Sequence, residues 1–315
     1  MAEALIARLD RTIDVMLARG DATAALTDTE LAPFARLASD LRSCPSAAFK
    51  ARLRAKLERK KTMSIVLEDV KTREGFTTVT PYLHTTKPGL LDFLTRAFGA
   101  VETETTTTPR GVHRDVRVGN SMVMIGEGGP EDAVHPPAAF HVFVPDVDAA
   151  YERAIAAGAT SLGAPEDRHY GERSGFVKDA FGNHWYIATS LGPAPVPEGL
   201  RTVTPYLHPR GVPSYIDFLT RAFGAVEEFR AESNGVVMHA QVRIGNAIVE
   251  MGEGSDATTR QAVFYLYVAD CDALYAQAVA AGAKPLAPPA DMFYGDRVGS
   301  VEDAMGIIWY LARPA

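Results

Sequence analysis

The chain has 315 residues, 23% of them charged and 47% apolar, proportions of a folded protein rather than a disordered chain, a fibrous repeat or a disulfide scaffold. Its 32 basic residues face 39 acidic ones, a net charge of −7, so the overall balance lacks the basic excess of a nucleic-acid binder, a local basic patch aside, and no nucleic-acid partner is expected. The length suggests two or three domains.

The chain opens MAEALIARLD, where Glu3, Arg8 and Asp10 interrupt any apolar run, unlike a secretory leader. No stretch approaches the roughly 20 apolar residues of a membrane span. Cys44 and Cys271 lie far apart and read as free thiols in a reducing compartment. A cytoplasmic location is expected.

Residues 1–62 form a helical N-terminal segment, with helices over 4–19 and 29–41, the second opened by a Thr27-x-x-Glu30 capping box. A basic helix follows over 46–61, with Lys50, Arg52, Arg54, Lys56, Arg59, Lys60 and Lys61 against Glu58. Its Phe49, Leu53 and Leu57 stripe suits packing on the acidic remainder; binding to an acidic partner or a membrane surface is the other reading. An interaction scaffold built on these helices is a third functional possibility. Residues 63–75 are a linker.

VTPYLH at 79–84 then reads as a strand and LLDFLTRAFGA as an amphipathic helix stopped at Gly99. The strands VHRDVRVGN and SMVMIGE meet at a Gly119-Asn120 turn. FHVFV, the helix DAAYERAIAAGA stopped at Gly158, and strands through FVKDAFGNHWYIA complete the set. After a Pro/Gly-rich joint at 191–200 the same order returns. TVTPYLH recurs unchanged at 202–208, and YIDFLTRAFGAVE, VRIGNAIVEMGEG, VADCDALYAQAVAAGA and FYGDRVGSVEDAMGIIWYLA follow at offsets of 124 to 126. Residues 76–190 and 201–315 are thus two copies of one domain. Trp185 and Trp309 alternate with Tyr186 and Tyr310 and read as core anchors. Arg173 and Asp179, repeated as Arg297 and Asp303, suggest an ion pair bracing the hairpin or an anion clamp. His239 is matched with Arg114, and Met238 with His113. No GxSxG, P-loop, dinucleotide GxGxxG or paired CxxC occurs.

The motifs VTPYLH, DFLTRAFGA, VRxGN, DVDAAYERAIAAGA and YGERSGFVKDAFGNHW resemble the vicinal-oxygen-chelate superfamily of glyoxalases, bleomycin-resistance proteins and extradiol dioxygenases, most closely a PhnB-like branch. The resemblance covers both copies and implies an α+β fold. It consists of two tandem βαβββ-βαβββ domains, each a cup of sheet with helices on the convex face, forming an intramolecular pseudo-dimer.

Metal-dependent members place four ligands on four strands. Strand alternation puts Thr80 or Thr204 at the first position, Met124 or Glu250 at the second and Tyr186 or Tyr310 at the fourth. The third holds His141 or Tyr265 if Phe140, Val142 and Val144 are core, and a one-residue slip inverts this. One copy alone offers a single good donor. Exchanging halves between copies unites His141 with Glu250, still short of the three or four donors a divalent ion takes. No cofactor is expected, a divalent metal on His141 and Glu250 being the alternative. His84 and His208 lie about 13 Å further along their strands, and either reach a ligand from the rim or bond to backbone. Tyr82, His84, Met124, His141, Tyr186, Tyr206, His208, Tyr265 and Tyr310 are the expected ligand-lining residues. The expected function is binding of a small, partly apolar molecule. Lyase or isomerase activity is the alternative, with Glu250 and His239 as acid and base, and an apolar cup raising the Glu250 pKa.

Overall fold

The computed structural model describes residues 70–108, 111–128, 137–255 and 262–315. The expected helices at 4–19, 29–41 and 46–61 lie outside them, as do Cys44 and residues 63–69 of the linker.

In chain order the elements are β1 (Val79–Thr85), α1 (Leu90–Phe98), β2 (Val101–Thr108), β3 (Gly111–Val118), β4 (Ser121–Glu127), β5 (Ala139–Phe143), α2 (Val147–Ala156), β6 (Thr160–Arg168), β7 (Glu172–Lys178) and β8 (His184–Ser190). The second set is β9 (Val203–Leu207), α3 (Val212–Phe223), β10 (Val226–Ser233), β11 (Val236–Ile244), β12 (Ala247–Met251), β13 (Val263–Tyr267), α4 (Cys271–Ala280), β14 (Lys284–Asp291), β15 (Arg297–Glu302) and β16 (Ile308–Arg313).

The helices form for local reasons. In α1, Leu90, Phe93, Leu94 and Ala97 bury one stripe, the i, i+3, i+4, i+7 spacing of a helix face. Gly99 then turns left-handed at φ 69 and closes the C-terminus onto the Thr95 carbonyl. The helices α2 and α4 begin at Asp146 and Asp270, whose carboxylates accept from Ala149 N and Ala273 N. Each fully buried Phe or Leu in such a stripe contributes about 1.5–3 kcal/mol.

Two eight-stranded sheets result, ordered β14-β15-β16-β13-β1-β4-β3-β2 and β10-β11-β12-β9-β5-β8-β7-β6. We call them sheet one and sheet two. Each joins the first half of one sequence copy to the second half of the other, through antiparallel pairs β1–β13 and β5–β9. The repeat boundary is therefore not a sheet boundary. Exchange of halves, weighed above as the better arrangement for His141 and Glu250, is the one adopted.

Strand alternation sends Val79, Leu83, Phe140 and Val142 into the apolar core and leaves Tyr82, His141 and their neighbours on the opposite, concave face. Trp185 and Trp309 are core anchors, with indole N–H groups donated to Asp179 and Asp303 at 2.9 Å. This corrects the expected Arg173–Asp179 pair. Asp179 is buried and organises the β7–β8 turn, whereas Arg173 reaches Asp148 on α2 and Asp167 on β6. Arg297 repeats this with Asp272 and Asp291. A carboxylate bound to four neutral donors is satisfied without a guanidinium, and each Arg is free to pin helix to sheet.

Candidate functional site in sheet two

The register places the concave-face residues in two adjoining rows. Gln241, Glu250 and Tyr206 lie side by side on β11, β12 and β9. Thr204, His141 and Tyr186 lie side by side on β9, β5 and β8. Only β9 separates Glu250 from His141. The imidazole Nδ1 and the Glu250 Oε2 meet at 3.0 Å.

Both residues are buried, Glu250 being 1% exposed and His141 8%. The other His141 nitrogen, Nε2, faces Glu172 Oε2 at 3.5 Å. Gln241 donates to Glu250 Oε1 at 3.1 Å, and His239 Nε2 stands 3.5 Å from the same oxygen. An imidazole with a carboxylate at each nitrogen is held as the doubly protonated cation. Burial alone would lower the His141 pKa, but the Glu250 charge and the hydrogen bonds to Glu172 and Glu250 raise it. Burial would raise Glu250, but His141 outweighs it and holds the carboxyl below its ordinary range. The expected raised pKa of Glu250 is thus reversed: the cup is not simply apolar at this point, because a cation stands in contact with the acid.

Tyr206 is the aromatic centre of the cup. Its ring lies 4.9 Å from His208, 5.2 Å from Tyr186, 5.8 Å from His239 and 6.3 Å from His141. Its hydroxyl meets His239 Nδ1 at 3.4 Å, while Tyr186 and His208 meet at 3.3 Å. Burial and then the nearby Glu250 raise the Tyr206 pKa, so the phenol stays neutral. At the edge stands Phe229, exposed and 5.9 Å from the His239 ring.

At the four expected ligand positions sheet two carries Thr204, Glu250, His141 and Tyr186. The Thr204 hydroxyl donates to the Arg201 carbonyl at 3.2 Å and the Tyr186 hydroxyl adjoins His208. Two neutral hydroxyls and an acid–imidazole pair bonded to each other do not fit a divalent ion. Among the described residues no group of three or more His, Cys, Asp or Glu is arranged to hold one.

Sheet one has the same rows with different chemistry: Asp115, Met124 and Tyr82, then Thr80, Tyr265 and Tyr310. This corrects the matching of His239 with Arg114. In the register His113 faces Gly126 on β4 and packs beside Tyr82 at 5.5 Å, as His239 packs beside Tyr206. Arg114 points away to Glu102 and Glu127, so matching by adjacent histidines and arginines slipped by one residue, which reverses the face. His84, at the end of β1, lines a separate cavity of about 110 Å3 with Tyr82, Pro137, Phe181 and Asn183.

Sequence reasoning did not single out Glu172 or Gln241. The available signal is the YGER/YGDR repeat: Glu172 reaches His141, and its counterpart Asp296 accepts from the Tyr265 hydroxyl at 3.2 Å.

The sequence model of the Glyoxalase/Bleomycin resistance protein/Dioxygenase superfamily matches residues 89–187 and 210–311. An uncharacterized protein of Mycobacterium bovis is 37% identical over 109 residues, 31% of this chain and 72% of that one. A Mycobacterium tuberculosis protein, also uncharacterized, shows the same identity over 64% of its length. In solved structures, a point mutant of glyoxalase I from Zea mays superposes with a TM-score of 0.62 at 13% identity, over 81% of this chain and 96% of the other. Unsubstituted glyoxalase I from Zea mays gives 0.59 at 15%, over 75% and 92%. Similarity at this level establishes the fold.

Proposed function

We propose, from the premise that the chain belongs to the Glyoxalase/Bleomycin resistance protein/Dioxygenase superfamily, that it binds a small, partly apolar molecule in the cup of sheet two without a metal of the usual family type. The observation that carries this reading is the His141–Glu250 pair. It stands at the second and third ligand positions and satisfies itself. The Tyr186, Tyr206 and His208 rings supply the apolar contact area, and the half-buried His239 and Glu172 supply hydrogen bonds toward the opening. A PhnB-like position within the superfamily, sequence domains at 76–190 and 201–315, and a cytoplasmic location belong to the same reading. The buried thiol Cys271, bonded to the Leu311 carbonyl, agrees with the last.

The test is elemental analysis of the purified full chain, together with a screen of small aromatic and carbonyl compounds read by tyrosine fluorescence. The expected result is substoichiometric metal and a ligand whose binding is lost in Tyr206→Ala. One tightly held Ni, Zn, Fe or Mn ion per chain, released in His141→Ala, would overturn the reading.

A second reading rests on the chain of contacts from Glu250 through His239 to Tyr206. A carboxylate held as an anion orients the His239 imidazole, and the neutral Tyr206 phenol passes its proton to a substrate as it takes one from His239, or runs the same exchange in reverse. Metal-free lyase or isomerase chemistry would use that relay. Loss of turnover in His239→Ala and Glu250→Gln with binding retained would favour it.

A further inference from the structure

The concave face of sheet one contains a buried carboxylate whose guanidinium partner comes from outside the sheet. Asp115 is 1% exposed. In sheet two the buried acid is answered by His141 on β5, but the corresponding strand of sheet one, β13, carries Tyr265. His113 on β3 gives Asp115 one hydrogen bond at 3.1 Å. The other partner is Arg73, in the segment that precedes β1. Its guanidinium reaches Asp115 at 2.5 Å and Glu104 at 2.7 Å.

Three residues further on, Phe76 turns its ring into the same cup. It is 6% exposed, meets Tyr267 edge-on at 5.9 Å, and lies beneath the Arg73 guanidinium at 4.7 Å. With Met122, Met124, Tyr265, Tyr267 and Val298 it forms a small apolar cluster separate from the main core. The segment is held by a turn, Phe76 N to Arg73 O at 3.0 Å, and by its two ion pairs.

The second copy has the same turn, Leu200 N to Pro197 O at 3.1 Å. It has Pro197 where Arg73 stands and Leu200 where Phe76 stands, so neither the cation nor the flat ring is repeated. Of the two copies, only the first has both features, and there they meet the buried Asp115.

We propose that the cup of sheet one is a second binding site, for an organic cation carrying a flat apolar group, and that Arg73 and Phe76 occupy it as an internal stand-in for that ligand. The guanidinium marks where the ligand's positive charge sits against Asp115, and the Phe76 ring marks where its apolar plane lies among Tyr82, Tyr265 and Tyr267. Binding requires residues 70–77 to leave the cup, so the intact chain takes such a ligand with an affinity reduced by the open fraction. This site shares no side chain with the His141–Glu250 cup.

The probe is benzamidinium, a flat ring bearing a delocalised cation, with benzoate as the control of the same shape and opposite charge. By titration calorimetry, full-length Arg73→Ala/Phe76→Ala should bind benzamidinium at least about tenfold more tightly than the unaltered chain. It should not bind benzoate, should lose benzamidinium when Asp115→Asn is added, and should be indifferent to His141→Gln. In the unaltered chain, saturating benzamidinium should speed amide exchange at residues 73–77 while benzoate does not. That measurement needs no variant to fold. No change in exchange, a folded double variant with unchanged affinity, or equal binding of benzoate would each overturn the proposal.

Discussion

His141 and Glu250 lie 109 positions apart in the chain, in different copies of the repeat, yet meet at 3.0 Å inside sheet two. Glu250 is buried enough that its charge depends on that cation.

The pair makes stability depend on pH at both ends. His141 is raised from its ordinary 6.5 to about 9 in the folded chain. Its contribution is complete below about pH 6.5 and disappears as pH rises through about 9. Glu250 is lowered from 4.5 to about 2. Its contribution is complete above about pH 4.5 and disappears as pH falls through about 2. Urea unfolding between pH 5 and 9.5 should show a decline above 6.5 that is flattened in His141→Gln. Identical slopes in both proteins would refute the assignment.

Breaking the pair and replacing it should have opposite outcomes. Glu250→Gln leaves the buried His141 imidazolium with only the longer Glu172 contact at 3.5 Å and should cost about 3–5 kcal/mol. Sheet one already packs Met124 and Tyr265 at the corresponding places. The double replacement Glu250→Met/His141→Tyr should therefore come within about 1 kcal/mol of the parent or exceed it, as buried pairs exchanged for apolar groups do. Chemical denaturation of the three proteins decides this. A double variant as weak as the single one would mean the two cups are not interchangeable in packing.

Asp179 is a structural carboxylate, and its removal should be costly without touching either cup. It accepts from Phe181 N, Asn183 N, Asn183 Nδ2 and Trp185 Nε1. Asp179→Ala leaves these donors without their acceptor, at about 1–3 kcal/mol for each that stays buried. The melting temperature should fall by well over about 10 °C. Ligand affinity measured at low temperature should be unchanged.

The VRxGN turns latch the copies together. Asn246 Oδ1 accepts from Thr78 N at 2.8 Å and from Thr78 Oγ1 at 2.9 Å, and Asn120 Oδ1 accepts from Thr202 N at 2.8 Å. Gly245, at φ 60, leaves no room for a Cβ beside the Thr78 side chain. Asn246→Ala should lose about 1–2 kcal/mol, and Gly245→Ala more, since strain and overlap add. Equal stability of Gly245→Ala and parent, measured by urea unfolding, would show that the latch carries no weight.

Much of the fold was legible because its signals are local. The 3.6-residue stripe of LLDFLTRAFGA, the glycine stops at Gly99 and Gly158 and the period-two facing of VTPYLH all act within a few residues. The cup-facing residues of β1 and β9 followed from that alternation; β5 is buried on both faces, so two registers read alike until the structure put Phe140 and Val142 in the core. Glu172 reaches the site from the far end of β7, across the concave face, and no periodicity reports such an approach. The slip at His239 had another origin: counted back from the shared VRxGN the two histidines already align at an offset of 126, and Arg114 is reached only by taking 125.

The sequence by itself determined that there are two copies of one unit, where its helices cap, and which faces of its strands are apolar, because these depend on neighbours a few residues away. Tertiary structure alone decided which half pairs with which, and so which acid meets which cation. The strands of both copies carry the same backbone pattern, and only their closure into sheets selects Glu250 with His141 and Asp115 with Arg73.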